Sequence, residues 1–253
     1  MRIDQLLVQR GMASTRSQAQ RLIAAGVRWQ TDGRWRQVAR NGDDVAPEAE
    51  IELLDDAEAR FVSRGGLKLD AALGQVELPV AGLRCLDVGQ STGGFTDCLL
   101  RRGAAQVVGI DVGSGQLHAQ LRADARVTCI EGVNARHLRA IDLPGAPEAF
   151  DMVVGDLSFI SQTLVLSALF PWLREGGSLL MLVKPQFELQ PGQVGKGGIV
   201  TDGALFTVVE RRIRDAHAAL GLLVQAYFQS VIDGGDGNRE FFVHSIRQPE
   251  RTP

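Results

Sequence analysis

The sequence has little of several features that mark particular classes of protein. Its three cysteines, Cys85, Cys98 and Cys129, are an odd number without C-x-x-C spacing, which argues against a disulfide framework and a zinc site. We expect them to be small buried side chains in a reducing cytoplasm, with no bound metal. No apolar run reaches the roughly 18 residues of a membrane span. The first residues also lack the apolar core of a signal peptide.

Lysine is scarce as well. Lys68, Lys184 and Lys196 are the only lysines among 27 basic residues. Arginine keeps its proton in a protein, whereas lysine can lose it when its surroundings lower its pKa. In a chain that uses arginine nearly everywhere, each lysine is therefore a candidate for proton chemistry, with chance retention as the alternative for each.

Charge is unevenly distributed along the chain. Residues 1–40 hold eight arginines against Asp4 and Asp32, a balance of +6, so the net charge of −3 leaves −9 for the remainder. A basic head on an acidic body predicts that the first segment contacts a polyanion. A merely solvated basic face is the alternative.

Residues 1–55 have the pattern of a small α+β domain. Apolar spacing and caps predict a helix from Ile3 to Gly11 and a second from Ser14–Ser17 to Gly26, followed by a hairpin around Asp32-Gly33. Two further short strands are predicted at 43–45 and 51–54. The motifs Arg2-Ile-Asp-x-Leu-Leu, Ser14-Thr-Arg-Ser-x-Ala and Ile23-x-x-Gly-Val resemble the S-four RNA-binding domain. That resemblance implies phosphate and shape contacts with structured RNA. The expected RNA-binding residues are Arg2, Arg16, Arg21, Arg28 and, beyond this segment, Arg64.

From residue 84 onward, strands and helices alternate, which predicts a mostly parallel α/β sheet whose last strand is antiparallel. The predicted strands cover 85–88, 107–111, 127–130, 152–154, 179–183, 224–229 and 241–246. The predicted helices cover 96–102, 116–123, 163–173 and 204–220. A polar linker at about 55–62 separates a first domain, 1–58, from a second, 59–253.

The chain is organised around Arg84–Asp97, where a short strand runs into a glycine-rich turn and then a helix. Such a turn admits a ligand close to the backbone at the helix N-terminus. The spacing is neither Gly-x-Gly-x-x-Gly nor a P-loop, so a mononucleoside cofactor, S-adenosylmethionine, fits best. Asp111 follows Asp87 at the spacing of a ribose-binding carboxylate, and Asn134 could edge an adenine. A purely structural turn is the alternative.

Four ionisable residues are candidates for the chemistry. Asp156, Lys184 and Glu240 fall at the carboxyl ends of strands, where open α/β sheets bind ligands, or at the matching edge, and Lys68 could fold over the same crevice. Lysines and carboxylates held together perturb one another's pKa values, a signature of a working site. An ion-pair network at the sheet edge is the alternative for each.

At these residues the chain resembles the TlyA (haemolysin A) family of RNA ribose methyltransferases, which join an S-four domain to an FtsJ-type catalytic domain. The motifs that carry the resemblance are Asp87-Val-Gly-Gln-Ser-Thr-Gly-Gly-Phe-Thr-Asp, Ser-Arg-Gly-Gly-Leu-Lys68, Asp156-Leu-Ser-Phe-Ile-Ser, Lys184-Pro-Gln-Phe-Glu and Gly-Asn-Arg-Glu240-Phe. The resemblance implies a Rossmann-like class I methyltransferase fold and a catalytic tetrad of Lys68, Asp156, Lys184 and Glu240. It implies that the substrate is a cytidine ribose in 16S or 23S rRNA, with free rRNA or a ribosomal subunit as the partner. We expect the protein to be a monomer.

Roles can be assigned to the tetrad and the cofactor turn. We expect Lys184 to be the base toward a ribose 2′-hydroxyl, with Asp156 and Glu240 orienting the lysines. The expected cofactor-binding residues are Asp87, Gly89, Ser91, Thr92, Gly93, Gly94, Phe95, Asp111, Val112, Asn134 and Asp156. Gln90, where the family commonly has alanine, and Gly132-Val133, where it often has Arg-Thr, depart from the pattern and could alter cofactor affinity.

Three rival functions are weighed against this hypothesis. They are a non-catalytic module that holds S-adenosylmethionine and RNA, a membrane-active haemolysin and an NAD-dependent oxidoreductase. The complete tetrad argues against the first, since a silent module needs no matched lysines and carboxylates. The absence of a spanning segment argues against the second, and the turn spacing against the third.

Overall fold

A computed structural model describes residues 1–31, 33–54, 60–145, 148–234 and 236–249. Its contacts group the chain into two compact units, Met1–Leu67 and Lys68–Pro253. Asp32 of the predicted hairpin turn lies outside the described residues, as does most of the predicted linker. The boundary between residues 58 and 59 therefore stays a prediction.

The first unit pairs two helices with a small sheet. Its elements are α1 (Ile3–Gln9), α2 (Arg16–Gly26), β1 (Val27–Thr31), β2 (Arg34–Gln37) and β3 (Ile51–Leu53). The strands pair antiparallel in the order β2-β1-β3. Thr15 caps α2 by accepting a hydrogen bond from the backbone N–H of Gln18. The predicted small α+β fold is confirmed.

The strand predicted at 43–45 is wrong. This segment forms only an isolated bridge between Arg2 and Asp44. The Asp43 carboxylate accepts hydrogen bonds from the backbone N–H groups of Ala39 and Arg40, at 2.8 and 3.0 Å. These local bonds fold the chain into a turn, which competes with a strand for the same backbone groups.

The second unit is built on a seven-stranded sheet. Its elements are α3 (Arg64–Gln75, beginning in the first unit), β4 (Arg84–Val88), α4 (Gly94–Arg101), β5 (Gln106–Asp111), α5 (Ala119–Arg122), β6 (Val127–Glu131), β7 (Phe150–Gly155), α6 (Leu166–Leu169), β8 (Leu173–Val183), α7 (Pro185–Glu188), α8 (Gly203–Ala219), β9 (Leu222–Gln229) and β10 (Phe241–Arg247). The strand order is β6-β5-β4-β7-β8-β10-β9. Strands β4 to β8 are parallel, and β10 runs antiparallel between β8 and β9. The predicted α/β sheet with an antiparallel last strand is confirmed.

Some predicted boundaries differ from the structure. The helix predicted over 163–173 is broken into α6 and flanking 3-10 turns, because Pro171 cannot donate the backbone hydrogen bond of a continuous helix. The helix predicted over 116–123 is reduced to α5. Strand β8 begins six residues before the predicted strand and contains Gly176-Gly177, which were predicted to lie between a helix and that strand. A Cβ at Gly177 would lie 2.8 Å from the Arg174 carbonyl oxygen, so the strand bends there only because the residue is glycine.

The core of the second unit lies between the sheet and its helices. Phe150, Val153, Met181 and Val243 from the strands pack in one buried cluster that includes Ile213 of α8. Asp202 caps α8 by accepting a hydrogen bond from the Ala204 N–H at 2.9 Å. In the described part of the chain, no helix combines the length and apolar character needed to span a bilayer.

Candidate active site

Three of the four proposed catalytic residues are placed by the strands of the sheet. Asp156 directly follows β7, and Lys184 directly follows β8. Glu240 directly precedes β10, whose first residue pairs with Val183 at the end of β8. Because β10 is antiparallel to β8, its start lies at the edge where the parallel strands end. The antiparallel strand therefore brings Glu240 beside Lys184.

The fourth residue completes a buried ion pair. Lys68, on α3, donates to Glu240 with 2.5 Å between Nζ and Oε2. Lys68 is 7% exposed and Glu240 3%. Burial raises the pKa of the Glu240 carboxyl above its ordinary value, and the Lys68 charge opposes that rise. This pair is held away from water, so each charge depends on the other.

The second ion pair is more open to solvent. Lys184 Nζ lies 2.5 Å from Asp156 Oδ1 and donates to Ser158 Oγ at 2.9 Å. The two pairs also act on each other, because the Lys184 charge lowers the pKa of Glu240 and the Asp156 charge raises it. All four predicted tetrad residues thus share one charged cluster, with Lys184 and Asp156 as its accessible members.

A cavity of about 470 Å³ opens beside Asp156 at the same edge of the sheet. It lies at the end of β4, whose neighbours in the sheet are β5 on one side and β7 on the other. This point, where the strand order reverses direction, is the usual ligand position in open α/β sheets. Among the predicted cofactor residues, those that line it are Gly89, Ser91, Asp111, Val112, Asn134 and Asp156. Thr92 is exposed beside the turn, whereas Asp87, Gly93, Gly94 and Phe95 are buried outside this lining.

The chemistry of the cavity fits a cationic nucleoside. Asp111 and Asp156 supply carboxylates, Asn134 an amide, and Val112, Val133 and Ile160 an apolar wall. None of the described residues that line it is basic, so the cavity offers no cationic side chain to pair with a pyrophosphate. The Asp111 carboxylate accepts hydrogen bonds from the N–H groups of Ser91 and Gly113, both at 2.7 Å, which fixes it at the cavity wall. Carboxylates suit both ribose hydroxyls and a sulfonium charge.

Gln90 lies in the core behind the cofactor turn. It is 4% exposed and donates from Nε2 to Thr96 Oγ1 at 2.9 Å, and Thr96 in turn donates to the Asp87 carboxylate at 2.7 Å. Burial raises the pKa of Asp87 to about 7. The Gln90 carboxamide occupies the space above Gly109 of β5. A Cβ added at Gly109 would lie 2.0 Å from this carboxamide. The residue that departs from the family pattern is therefore matched to a glycine on the neighbouring strand.

This match predicts a non-additive pair of substitutions. Gly109→Ala should lower the free energy of unfolding by about 1–3 kcal/mol, because the new methyl group displaces the Gln90 carboxamide and breaks its bond to Thr96. Adding Gly109→Ala to Gln90→Ala should have little further effect, since the obstacle is gone. Urea denaturation of the two single variants and the double variant measures this coupling. If Gly109→Ala lowers the free energy of unfolding equally in the wild-type and the Gln90→Ala protein, the match is contradicted. Cofactor affinity, measured calorimetrically, should change little in Gln90→Ala.

Residues outside the predicted set also shape the site. Phe159 is 90% exposed with a φ of 64°, and its ring contacts that of Phe187 with 5.2 Å between centroids. A phenylalanine in this backbone region and so exposed is unusual. Its position in Asp156-Leu-Ser-Phe was visible in the sequence, but neither its exposure nor its backbone conformation was.

Two buried polar residues tie the catalytic loops together. Glu188, on α7, accepts hydrogen bonds from the Ser161 hydroxyl and from the Gln162 N–H, the latter at 2.8 Å, so the segment after β8 is joined to the segment after β7. Asn238 accepts from the Val200 N–H and donates to the Gly198 carbonyl oxygen, both at 2.9 Å. It thereby anchors the segment around Gly198 and Val200 to the segment that carries Glu240.

The predicted RNA-binding arginines differ in their surroundings. Arg2 and Arg16 both pair with the buried Asp4 carboxylate, at 3.0 and 2.8 Å, and hold its pKa well below its ordinary value. Arg28 pairs with Glu52 at 2.5 Å. Arg21 and Arg64 are half-buried. Arg2 and Arg16 therefore also support the fold of the first unit, which the sequence pattern did not reveal.

Comparison with known proteins identifies the family of both units. The model of the FtsJ-like methyltransferase family matches residues 61–247, and that of the S4 domain matches residues 1–26. The chain is 43% identical over 259 residues to the 16S/23S rRNA (cytidine-2'-O)-methyltransferase TlyA of Mycobacterium tuberculosis, covering 99% of this chain and 91% of that protein. It is 36% identical over 257 residues to Hemolysin A of Brachyspira hyodysenteriae, covering 97% of this chain and all of that protein.

A solved structure is similar over nearly the whole chain. It is described as "Putative hemolysin from Streptococcus thermophilus" and has 36% identity and a TM-score of 0.75, with 98% of this chain and 88% of that chain covered. The sequence relatives, the two domain matches and this structure agree on one architecture. The chain therefore belongs to the FtsJ-like methyltransferase family and, within it, to the TlyA family.

Proposed function

We propose that the protein transfers a methyl group from S-adenosylmethionine to a ribose 2′-hydroxyl of rRNA, at a cytidine in 16S or 23S rRNA. The observation that carries this proposal is the cluster of two lysine–carboxylate pairs beside a nucleoside-sized cavity at one edge of the sheet. The name of the Mycobacterium tuberculosis relative supports the cytidine and the two rRNA species.

The cofactor has a defined set of candidate partners in the cavity. Asp111 would bind its ribose, Gly89 and Ser91 the methionine portion, and Asn134 the adenine edge, while Val112 packs against the base. The bound cofactor supplies an electrophilic methyl group. Asp87, Thr92, Gly93, Gly94 and Phe95 would act by shaping the turn around it.

Lys184 is the proposed base. In its neutral form the amine accepts the proton of the 2′-hydroxyl, and Asp156 and Ser158, its observed partners, hold the amine in position. Lys68 and Glu240 form the buried half of the cluster and set its charge. Because the reaction needs an oxygen and a methyl carbon in line, much of the acceleration comes from positioning.

Substrate binding is assigned to the arginine-rich first segment. Residues 1–58 are proposed to bind rRNA or a ribosomal subunit through Arg2, Arg16, Arg21 and Arg28, and residues 59–253 to carry the reaction, with Arg64 at a phosphate. The exposed Phe159 ring stands at the mouth of the cavity, where it is suited to stack on a base. Such a protein works as a monomer in the cytoplasm, where ribosomes are assembled.

The test is methyl transfer by the purified full chain. Labelled S-adenosylmethionine is incubated with 16S rRNA, 23S rRNA and both ribosomal subunits, and the modified positions are mapped. Label in a ribose 2′-O-methyl cytidine supports the proposal. Cofactor binding without any transfer would favour the non-catalytic module, and leakage of liposomes by the same preparation would favour the haemolysin.

A further inference from the structure

The three-stranded sheet of the first unit has one buried and one open face. Side chains alternate between the faces of a strand. Val27, Trp29, Ile51 and Leu53 all pack against the core of the unit, so the residues between them point the other way. The open face therefore carries Arg28, which lies opposite Glu52.

Trp35 lies on this open face and is 41% exposed. The Arg28 guanidinium lies over its ring, 5.0 Å from the centroid, and Arg28 is itself held by Glu52 at 2.5 Å. A tryptophan on a solvated sheet face contrasts with Trp29 on the neighbouring strand, which packs against the core. Arg28 and Glu52 thus fix an exposed indole in place without burying it.

The strand that carries Trp35 is strongly basic and lies at an edge. All four residues of β2 are exposed. Arg34 and Arg36 flank the tryptophan in sequence, and because side chains alternate along the strand, theirs point to the other face, the one that carries Trp29. Within the described residues, neither of these two arginines has an ion-pair partner. They belong to the arginine-rich head, whose balance of +6 contrasts with −9 in the rest of the chain. The edge strand accordingly presents a flat aromatic ring on one face and, on the other, two arginines without an ion-pair partner among the described residues.

These features select one kind of occupant. An exposed aromatic ring on an edge strand, with arginines on the opposite face of the same strand, matches a single-stranded nucleic acid that passes over the edge. A base can then stack on the ring while neighbouring phosphates meet the charges. A fully paired duplex hides its base faces, so it would use only the arginines. A second copy of the chain adding a strand to β2 is opposed by repulsion between the arginines of the two edges.

We propose that Trp35, supported by Arg28, is a stacking surface for an unpaired base of the RNA substrate, with Arg34 and Arg36 on the adjacent phosphates. The RNA as partner rests on the function proposed above. Loops and bulges of rRNA, rather than its helical stems, are then the elements that the head reads.

Stacking and phosphate contacts can be separated by their salt dependence. We would measure binding of the full chain to a mixed-sequence single-stranded decaribonucleotide and to the corresponding duplex at several salt concentrations. Trp35→Ala should weaken single-strand binding about tenfold without changing the salt slope, since no charge is lost. Arg34→Gln and Arg36→Gln should each reduce the slope by about 0.7. Trp35→Phe, which keeps an aromatic ring, is the matched control for folding and stacking.

Tryptophan fluorescence gives an independent measurement. Single-stranded RNA should quench emission of the wild-type protein, and Trp35→Phe should lose most of that quenching because only Trp29 and Trp172 remain. Unchanged affinity in Trp35→Ala together with unchanged quenching in Trp35→Phe, in a protein that still methylates rRNA, would overturn the stacking site alone. Failure of the wild-type protein to methylate rRNA would instead count against the proposed function. A change of sedimentation in Trp35→Ala would identify the face as a contact between copies, and would also overturn it.

Discussion

Replacing Lys184 with alanine should reduce methyl transfer to rRNA by about 10²–10⁴-fold, the usual contribution of a general base. Its Nζ lies within 2.9 Å of both Asp156 and Ser158, at the more accessible of the two ion pairs, so removing the amine removes the only lysine placed to meet a hydroxyl beside the cavity in the described residues. Cofactor affinity should stay within a few-fold of wild type, since Lys184 is outside the cavity lining. Single-turnover transfer and calorimetric cofactor binding provide the two measurements.

Two matched variants identify what Lys184 contributes. Lys184→Arg keeps a positive charge beside Asp156 but cannot give up its proton, so a base role requires it to be nearly as inactive as Lys184→Ala. Ser158→Ala removes a hydrogen-bond partner and leaves the amine, so it should lose far less activity. If Lys184→Arg retains most of the rate, the residue acts by its charge and the base must be sought elsewhere.

The sequence could predict those site residues whose position depends only on the end of the strand that carries them. Asp111, Asp156 and Lys184 end parallel strands, and parallel strands end at a common edge, so their proximity follows from the α/β pattern. Glu240 is different, because it precedes a strand. Its place beside Lys184 depends on the insertion of β10 between β8 and β9, which residue spacing alone does not show.

Other features depend on contacts between distant residues and were beyond a sequence pattern. Gln90 was recognised as a departure in the cofactor turn, but the direction of its side chain is decided by the missing Cβ of Gly109 on another strand. Arg2 and Arg16 were predicted to contact RNA, and the structure shows that both also pair with the buried Asp4 carboxylate. Phe159 and Trp35 are exposed because few other side chains pack against them, and such contacts cannot be predicted from the local sequence.

The buried pair of the tetrad should control stability as well as activity. Glu240→Ala leaves the Lys68 ammonium, which is 7% exposed, without its carboxylate, so we expect the free energy of unfolding to fall by about 3–5 kcal/mol.

Lys68→Met should lower the free energy of unfolding by an amount that grows with pH. Burial already raises the pKa of Glu240, and losing Lys68 removes its main opposing charge. A raised pKa in the folded state gives stability that is present at low pH and is lost as pH rises through that value.

The double replacement Lys68→Met with Glu240→Leu separates the two roles of the pair. It removes both buried charges and fills their space with apolar atoms, so stability should return to near the wild-type value. Methyl transfer should stay at the level of the single variants, because apolar side chains cannot act on the charges of Lys184 and Asp156. Urea unfolding at pH 5 and pH 8, together with single-turnover transfer, gives both quantities for all variants. A stable double variant that recovers activity would show that the pair only holds α3 against the sheet, whereas a stable and inactive one places its charges in the reaction itself.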